Sequence, residues 1–230
     1  MAYVRVRGVR FHVVDLGRDT GRVPVVMLHG LFTGSAASWF FTVAPALARD
    51  RRVRLPDWRG HGLTERTTTG YDTATMADDL AALTADLPPF AIAGHSYGAT
   101  VAVRFARAHP GRTTALALVD PPFADIDVRR YAVPGVARRG AVAELLKRTS
   151  LASDLAAEPP VTAAELAELA GLPVLAVVGT DSPFRSAADL VGRALPAARR
   201  HVLSGGHDLH ITARARLTPL LGAFLEEAHA

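Results

Sequence analysis

Pro89-Phe90-Ala91-Ile92-Ala93-Gly94-His95-Ser96-Tyr97-Gly98 is the stretch whose reading decides the fold. Its first five residues are a short apolar run suited to a buried strand. Beyond it, residues 99–109 (ATVAVRFARAH) are alanine-rich with helical spacing and stop at Pro110-Gly111. Ser96, between the two, is predicted to sit on a sharp strand-to-helix elbow that lifts its hydroxyl off the sheet. Glycines flank it because side chains there would collide with the neighbouring strand and helix.

The same alternation runs outward in both directions. Residues 3–6 and 11–14 are predicted as a leading antiparallel pair, and 23–28 (VPVVML) as a buried central strand ending at His29-Gly30. A helix is expected over 38–48, a strand over 52–55 and a helix over 73–86. Further strands are expected over 90–93, 114–119 (TALALV), 173–178 (PVLAVV) and 200–203, with helices over 186–194 and 212–227. This pattern predicts an α/β fold, a mostly parallel central sheet with helices on both faces. Ligands in such sheets bind beyond the carboxyl ends of the strands.

Between Pro121 and Gly171 the alternation stops. Helices are expected there over 136–148 and 163–170, the second opened by a Thr162–Glu165 capping box. Residues 121–171 therefore read as a small helical cap inserted into a core made of 1–120 and 172–230. The plainer alternative is a long crossover.

The chain has 230 residues, 49% of them hydrophobic, which suits one large domain or a domain with an insertion. No apolar run reaches the length of a membrane span, and the first residues lack a signal-peptide core, so no membrane partner and a cytoplasmic location are expected. The absence of cysteine excludes disulfides, thiolate metal sites and a cysteine nucleophile. Net charge is +4 although the sequence pI is about 10.1, because all of the 26 basic residues except Lys147 are arginine. The arginines are spread along the chain without clustered aromatics or a nucleic-acid-binding module, so no nucleic-acid partner is expected.

Four motifs stand in order: His29-Gly30-Leu31 after an early strand, Asp57-Trp-Arg-Gly-His-Gly62 after the next, Gly94-x-Ser96-x-Gly98, and Gly206-His207 near the C-terminus. With them the chain resembles the α/β-hydrolase fold family almost end to end. Ser96 is the candidate nucleophile, and a serine hydroxyl needs a base within reach. Histidine suits that role near neutrality. Of the nine histidines, His12 and His109 fall in or just after regular elements, and His229 lies in the C-terminal tail. His29 and His61 match positions that shape turns. His207 stands where the family places its catalytic histidine, with His210 as the fallback.

The acid is left open between two aspartates. Family members commonly carry Gly-x-x-Asp after the strand preceding the histidine strand. Here the run is Gly179-Thr180-Asp181-Ser182, so Asp181 comes one residue early and Ser182 occupies the acid's place. The other candidate is Asp120, closing an earlier strand, where some family members draw their acid. The resemblance assigns the oxyanion hole to the backbone N–H groups of Leu31 and Tyr97. Asp57, Arg59 and His61 are read as holding the loop beside the site.

Phe32, Phe123 and Phe184 are candidate substrate-binding residues, and Arg129, Arg130, Arg138 and Arg139 a candidate docking face for an acidic or carrier-bound substrate. The blander account of those arginines is a solvated helix face. The reading implies a serine hydrolase acting on a carboxylic ester or thioester of a small apolar or mixed substrate, with no metal or organic cofactor. Its partner would be a small-molecule substrate or a carrier-bound acyl group. Alternatives that the resemblance permits are acid–base chemistry for C–C cleavage, lyase or cofactor-free peroxidase reactions, a biosynthetic thioesterase or cyclase, and a non-catalytic small-molecule receptor. A serine at the elbow argues against haloalkane dehalogenase and epoxide hydrolase chemistry, for which the family uses an aspartate nucleophile.

Overall fold

Apolar residues alternate strictly between two faces in the central strands, and each face is covered by helices. The computed structural model describes residues 2–32, 34–123 and 140–229. Among them, β1 (Ala2–Val6), β2 (Val9–Leu16), β3 (Val25–Leu28), β4 (Val53–Pro56), β5 (Phe90–His95), β6 (Thr113–Val119), β7 (Val174–Gly179) and β8 (Arg199–Leu203) form one sheet in the order β1-β2-β4-β3-β5-β6-β7-β8. β2 pairs antiparallel with β1 and with β4, and every other pairing is parallel. This is the α/β architecture that the sequence predicts.

Strand order reverses direction between β3 and β5. The chain leaves β3 towards β4 and returns on the other side as β5, with Leu28 paired to Gly94. The loops after these two strands therefore part, opening a crevice at the carboxyl edge of the sheet.

Period-2 patterning explains the two cores. Val26 and Leu28 of β3, Ile92 of β5, and Leu116 and Leu118 of β6 face one way, against α3 (Thr73–Leu83), α4 (Tyr97–Ala108) and α8 (Ala187–Ala194). Val25, Met27, Ala91, Ala93, Ala115 and Ala117 face the other way. There they meet α1 (Ala36–Phe40), α2 (Ala44–Leu47) and, after the short α9 (Leu209–Thr212), the long α10 (Arg214–Glu227). The helix expected over 38–48 is in fact two, because Pro45 lacks the N–H needed to continue the first and instead starts the second.

The segment between β6 and β7 carries α5 (Ala141–Arg148), α6 (Leu151–Ala157) and α7 (Ala163–Ala167). Residues 136–139 of the first expected helix lie outside the described residues, and α6 was not expected from the sequence. Both halves of the Thr162–Glu165 capping box form. Leu145, Leu151, Leu155 and Leu166 are buried in the α3–α4 cluster. Each such leucine stabilises the docking by about 1.5–3 kcal/mol relative to exposure. Asp154 accepts a hydrogen bond from the Tyr71 N–H at 2.9 Å and Glu158 one from the Thr73 N–H at 3.0 Å, joining this segment to the start of α3. No helix among the described residues is long and apolar enough to cross a membrane.

Close packing of α4 on β3 sets a test. A Cβ on Gly98 would lie 2.7 Å from the carbonyl oxygens of Leu28 and His29, both fixed backbone atoms, whereas one on Gly222 in α10 would meet nothing within 4 Å. Gly98→Ala is expected to lower the unfolding free energy by about 1–3 kcal/mol, and Gly222→Ala to raise it slightly through helix propensity. Urea denaturation reads both. Equal effects at the two positions would contradict this packing.

Candidate active site

Ser96 connects β5 to α4 with φ 51° and ψ −127°, a left-handed conformation that costs a non-glycine residue about 1–3 kcal/mol. The surroundings hold it there. Its N–H donates to the Val119 carbonyl at 3.0 Å, and its own carbonyl accepts from the Ala99 N–H at 2.8 Å. A Cβ on Gly94 would come within 2.6 Å of the Gly98 carbonyl oxygen, so the elbow closes only around glycine. The Ser96 hydroxyl has no hydrogen-bond partner among the described residues. It faces a cavity of about 290 Å³, shared with Leu31, Phe32, Tyr97, Phe184 and His207.

His207 follows β8 and points the other ring edge at a carboxylate. Its Nδ1 lies 2.6 Å from Oδ2 of Asp120, the residue that ends β6 with φ 48°. Asp120 is fully buried. Its Oδ1 accepts the Gly179 N–H at 2.9 Å, and its Oδ2 also accepts the Ser182 hydroxyl. With Nδ1–H donated to Asp120, the lone pair of His207 is on Nε2. The Phe184 ring packs edge-on against the His207 imidazole, centroids 4.8 Å apart.

Of the two aspartates left open by the sequence, the structure brings Asp120 to His207 and leaves Asp181 exposed. The turn after β7 accounts for the difference. Thr180 N–H and Asp181 N–H bond to the Leu203 and Gly205 carbonyls. The next residue, Ser182, is the one that turns inward, and its hydroxyl completes the shell of Asp120. Sequence reasoning assigned Ser182 no role; its place in the expected acid position was the available signal.

The loop after β3 is pressed onto the elbow, since a Cβ on Gly30 would sit 3.0 Å from the Ser96 Cβ. Two buried histidines hold that loop by accepting backbone protons. His29 Nε2 accepts the Trp58 N–H and His61 Nε2 the Phe32 N–H, each at 3.0 Å. Their Nδ1–H groups donate to the Gly30 and Arg59 carbonyls. Asp57 accepts the Ala36 N–H at 2.6 Å and pairs with His12 at 2.7 Å, while Arg59 pairs with buried Asp79. These residues brace the loop and none of these four lines the cavity. Leu31 and Tyr97 do line it, and neither backbone N–H has an acceptor among the described residues.

His95 and His210 complete the wall. Their rings lie 4.1 Å apart, His95 also stacks 4.6 Å from His207, and His210 rests 4.8 Å from Trp39. His95 Nε2 is 3.0 Å from the His207 carbonyl, linking the elbow to the histidine loop. Burial first, then the facing histidines, hold His95 well below the ordinary histidine range and His210 at about 4. His210, the fallback base, makes no bond to a carboxylate among the described residues. The expected substrate residues divide. Phe32 and Phe184 line the cavity, but Phe123 is fully buried in the core and does not reach it. Arg129, Arg130, Arg138 and Arg139 lie outside the described residues.

Comparison with known proteins agrees with the fold. A family profile described as alpha/beta hydrolase fold matches residues 23–139, half of the chain. The chain belongs to the α/β-hydrolase fold family. It is 38% identical over 105 residues to a soluble epoxide hydrolase of a Corynebacterium species, covering 44% of this chain and 34% of that protein. It is 39% identical over 120 residues to a non-heme chloroperoxidase of Streptomyces lividans, covering 50% of this chain and 43% of the relative. The matched stretches thus span less than half the length of these relatives. Among solved structures, a thermophilic esterase of Thermogutta terrifontis superposes with a TM-score of 0.80 at 21% identity, over 100% of this chain and 99% of that one, a likeness of fold.

The two bracing histidines make the fold acid-sensitive. Burial, followed by the neighbouring His61, pushes His29 down to about 3, and burial lowers His61 as well. Both stay neutral in the folded chain, while the unfolded chain binds their protons below about pH 6.5. Stability is therefore full above that pH and lost as pH falls towards the folded values, by up to about 1.4 kcal/mol per pH unit for each histidine. Urea midpoints should drop between about pH 7 and pH 5, with a smaller slope in His29→Asn. A midpoint flat with pH, or an unchanged slope in the variant, would contradict the assignment.

Proposed function

We propose that the chain is a serine hydrolase that cleaves a carboxylic ester or thioester of a small, largely apolar substrate through an acyl-enzyme on Ser96. The observation that carries this reading is the 2.6 Å bond from His207 to buried Asp120, which leaves Nε2 as the proton acceptor on the wall of the cavity that Ser96 faces.

Ser96 Oγ attacks the substrate carbonyl carbon as its proton passes to His207 Nε2, a transfer that needs the two brought within hydrogen-bond distance in the substrate complex. The carbonyl π electrons move to oxygen, and the oxyanion is held by the N–H groups of Leu31 and Tyr97. Fixed donors of this kind contribute about 2.7–4 kcal/mol each to the transition state. The imidazolium, stabilised by Asp120, gives its proton to the departing alkoxide or thiolate. Water then loses a proton to the same Nε2, attacks the acyl-enzyme, and the proton returns to Ser96 as the acid product leaves. Leu31, Phe32, Phe184 and Ile211 give the cavity its apolar lining, which favours a small hydrocarbon or aromatic acyl group. Residues 121–171 form the cap in this reading, and a small molecule or carrier-bound acyl group inside the cell is the substrate.

A second reading, cofactor-free peroxidase chemistry with the same residues, is favoured by the 39% match to a chloroperoxidase. It differs in letting hydrogen peroxide replace water as the acyl acceptor. The epoxide hydrolase match does not carry its chemistry over, because serine stands where that chemistry uses an aspartate.

A fluorophosphonate probe read by intact mass should add one label to the folded chain and none to Ser96→Ala. On a p-nitrophenyl ester of a short acid, Asp120→Asn should lower kcat by about 10³–10⁴-fold, and Asp181→Asn should leave it within about twofold. Folded protein that takes no label, or a larger loss in Asp181→Asn than in Asp120→Asn, would overturn the reading.

A further inference from the structure

His95, Asp208 and His210 converge beside His207 without a role in the reaction above. His95 comes from the elbow, one residue before Ser96, and the other two follow His207 at the start of α9. One ring nitrogen of each histidine and one carboxylate oxygen of Asp208 all lie within 4.8 Å of one another. All three residues line the cavity, so a solute in the cavity reaches them.

We propose that these three residues bind a transition-series divalent cation, with zinc the best fit, on the cavity wall. Two imidazoles and a carboxylate form a donor set that zinc takes in tetrahedral sites, with the fourth position left to water or a substrate oxygen. The ligands of a tetrahedral zinc ion are about 3.3 Å apart, so the cluster must contract by about 1.5 Å at its widest. Asp208, whose side chain is 60% exposed, has room to move towards the two histidines. A second observation points the same way. His210 is 2% exposed and its Nδ1 is buried without a hydrogen-bond partner, an arrangement that the packing of the fold does not account for.

The site is tied to the catalytic loop. His95 Nε2 is 3.9 Å from Asp208 Oδ1 and 3.0 Å from the His207 carbonyl oxygen. A cation drawn to that nitrogen competes with the bond that holds the His207 loop against the elbow. Bound metal is therefore expected to slow Ser96 acylation reversibly. That consequence rests on the hydrolase reading, whereas the binding itself does not.

Calorimetric titration of zinc chloride into chelator-stripped protein tests the binding. One equivalent should bind, and affinity should fall at least about tenfold in Asp208→Asn, a surface change, and in His210→Gln. Nickel supplies an optical readout: it should quench Trp39, whose ring is 4.8 Å from His210, and Trp39→Phe should remove the quench. No binding, or equal binding by wild type and both variants, would overturn the proposal. So would binding lost in His207→Ala but kept in Asp208→Asn and His210→Gln, which would place the metal on the catalytic pair.

Discussion

The carboxylate of Asp120 has no contact with water, and its charge is tolerated only because three donors converge on it. They are the N–H of Gly179 at the end of β7, the hydroxyl of Ser182 in the following turn, and Nδ1–H of His207 after β8. A buried carboxylate without such partners would cost several kcal/mol. The geometry that satisfies Asp120 therefore also fixes where β7 ends, how the next turn folds inward, and which edge His207 presents to the cavity. Removing any donor disturbs the other two, because they share two oxygen atoms.

Two left-handed non-glycine residues sit at the carboxyl ends of adjacent strands, Ser96 after β5 and Asp120 after β6. Backbone bonds to the next strand over hold each of them, Ser96 N–H to Val119 and Asp120 N–H to Val177. The sheet thus absorbs strain that would otherwise relax, and the strain keeps a hydroxyl and a carboxylate in fixed places. On the other side of the switch point, the loop after β3 is held by neutral His29 and His61, and its Leu31 N–H has no acceptor among the described residues. A hydroxyl after β5, a carboxylate after β6, an imidazole after β8 and the loop after β3 gather at one cavity because the strand order reverses between β3 and β5.

Much of this was legible in the sequence where the signal is local. The apolar run before Gly94 and the alanine-rich run after Gly98 define the elbow, and Gly206-His207 marks the histidine loop beside it. The carboxylate that meets His207 was not legible, because spacing along the chain cannot tell whether Asp120 or Asp181 turns towards the imidazole. That choice is made by the backbone bonds of Thr180 and Asp181 to the loop after β8. The burial of Phe123 was not legible for a related reason. A phenylalanine at a strand end can face the cavity or the core, and only packing decides. The contact of His95 with the rings of His207 and His210 joins two distant parts of the chain, and periodicity carries no trace of it.

The central claim is that Asp120, and no other carboxylate, orients His207 for Ser96. Proton NMR of the imidazole N–H tests it most directly, since a 2.6 Å bond to a buried carboxylate shifts the Nδ1 proton far downfield. The account predicts such a resonance in the wild type and in Asp181→Asn, lost in His207→Ala and moved upfield in Asp120→Asn. A downfield resonance that survives unchanged in Asp120→Asn, or disappears in Asp181→Asn, would contradict it.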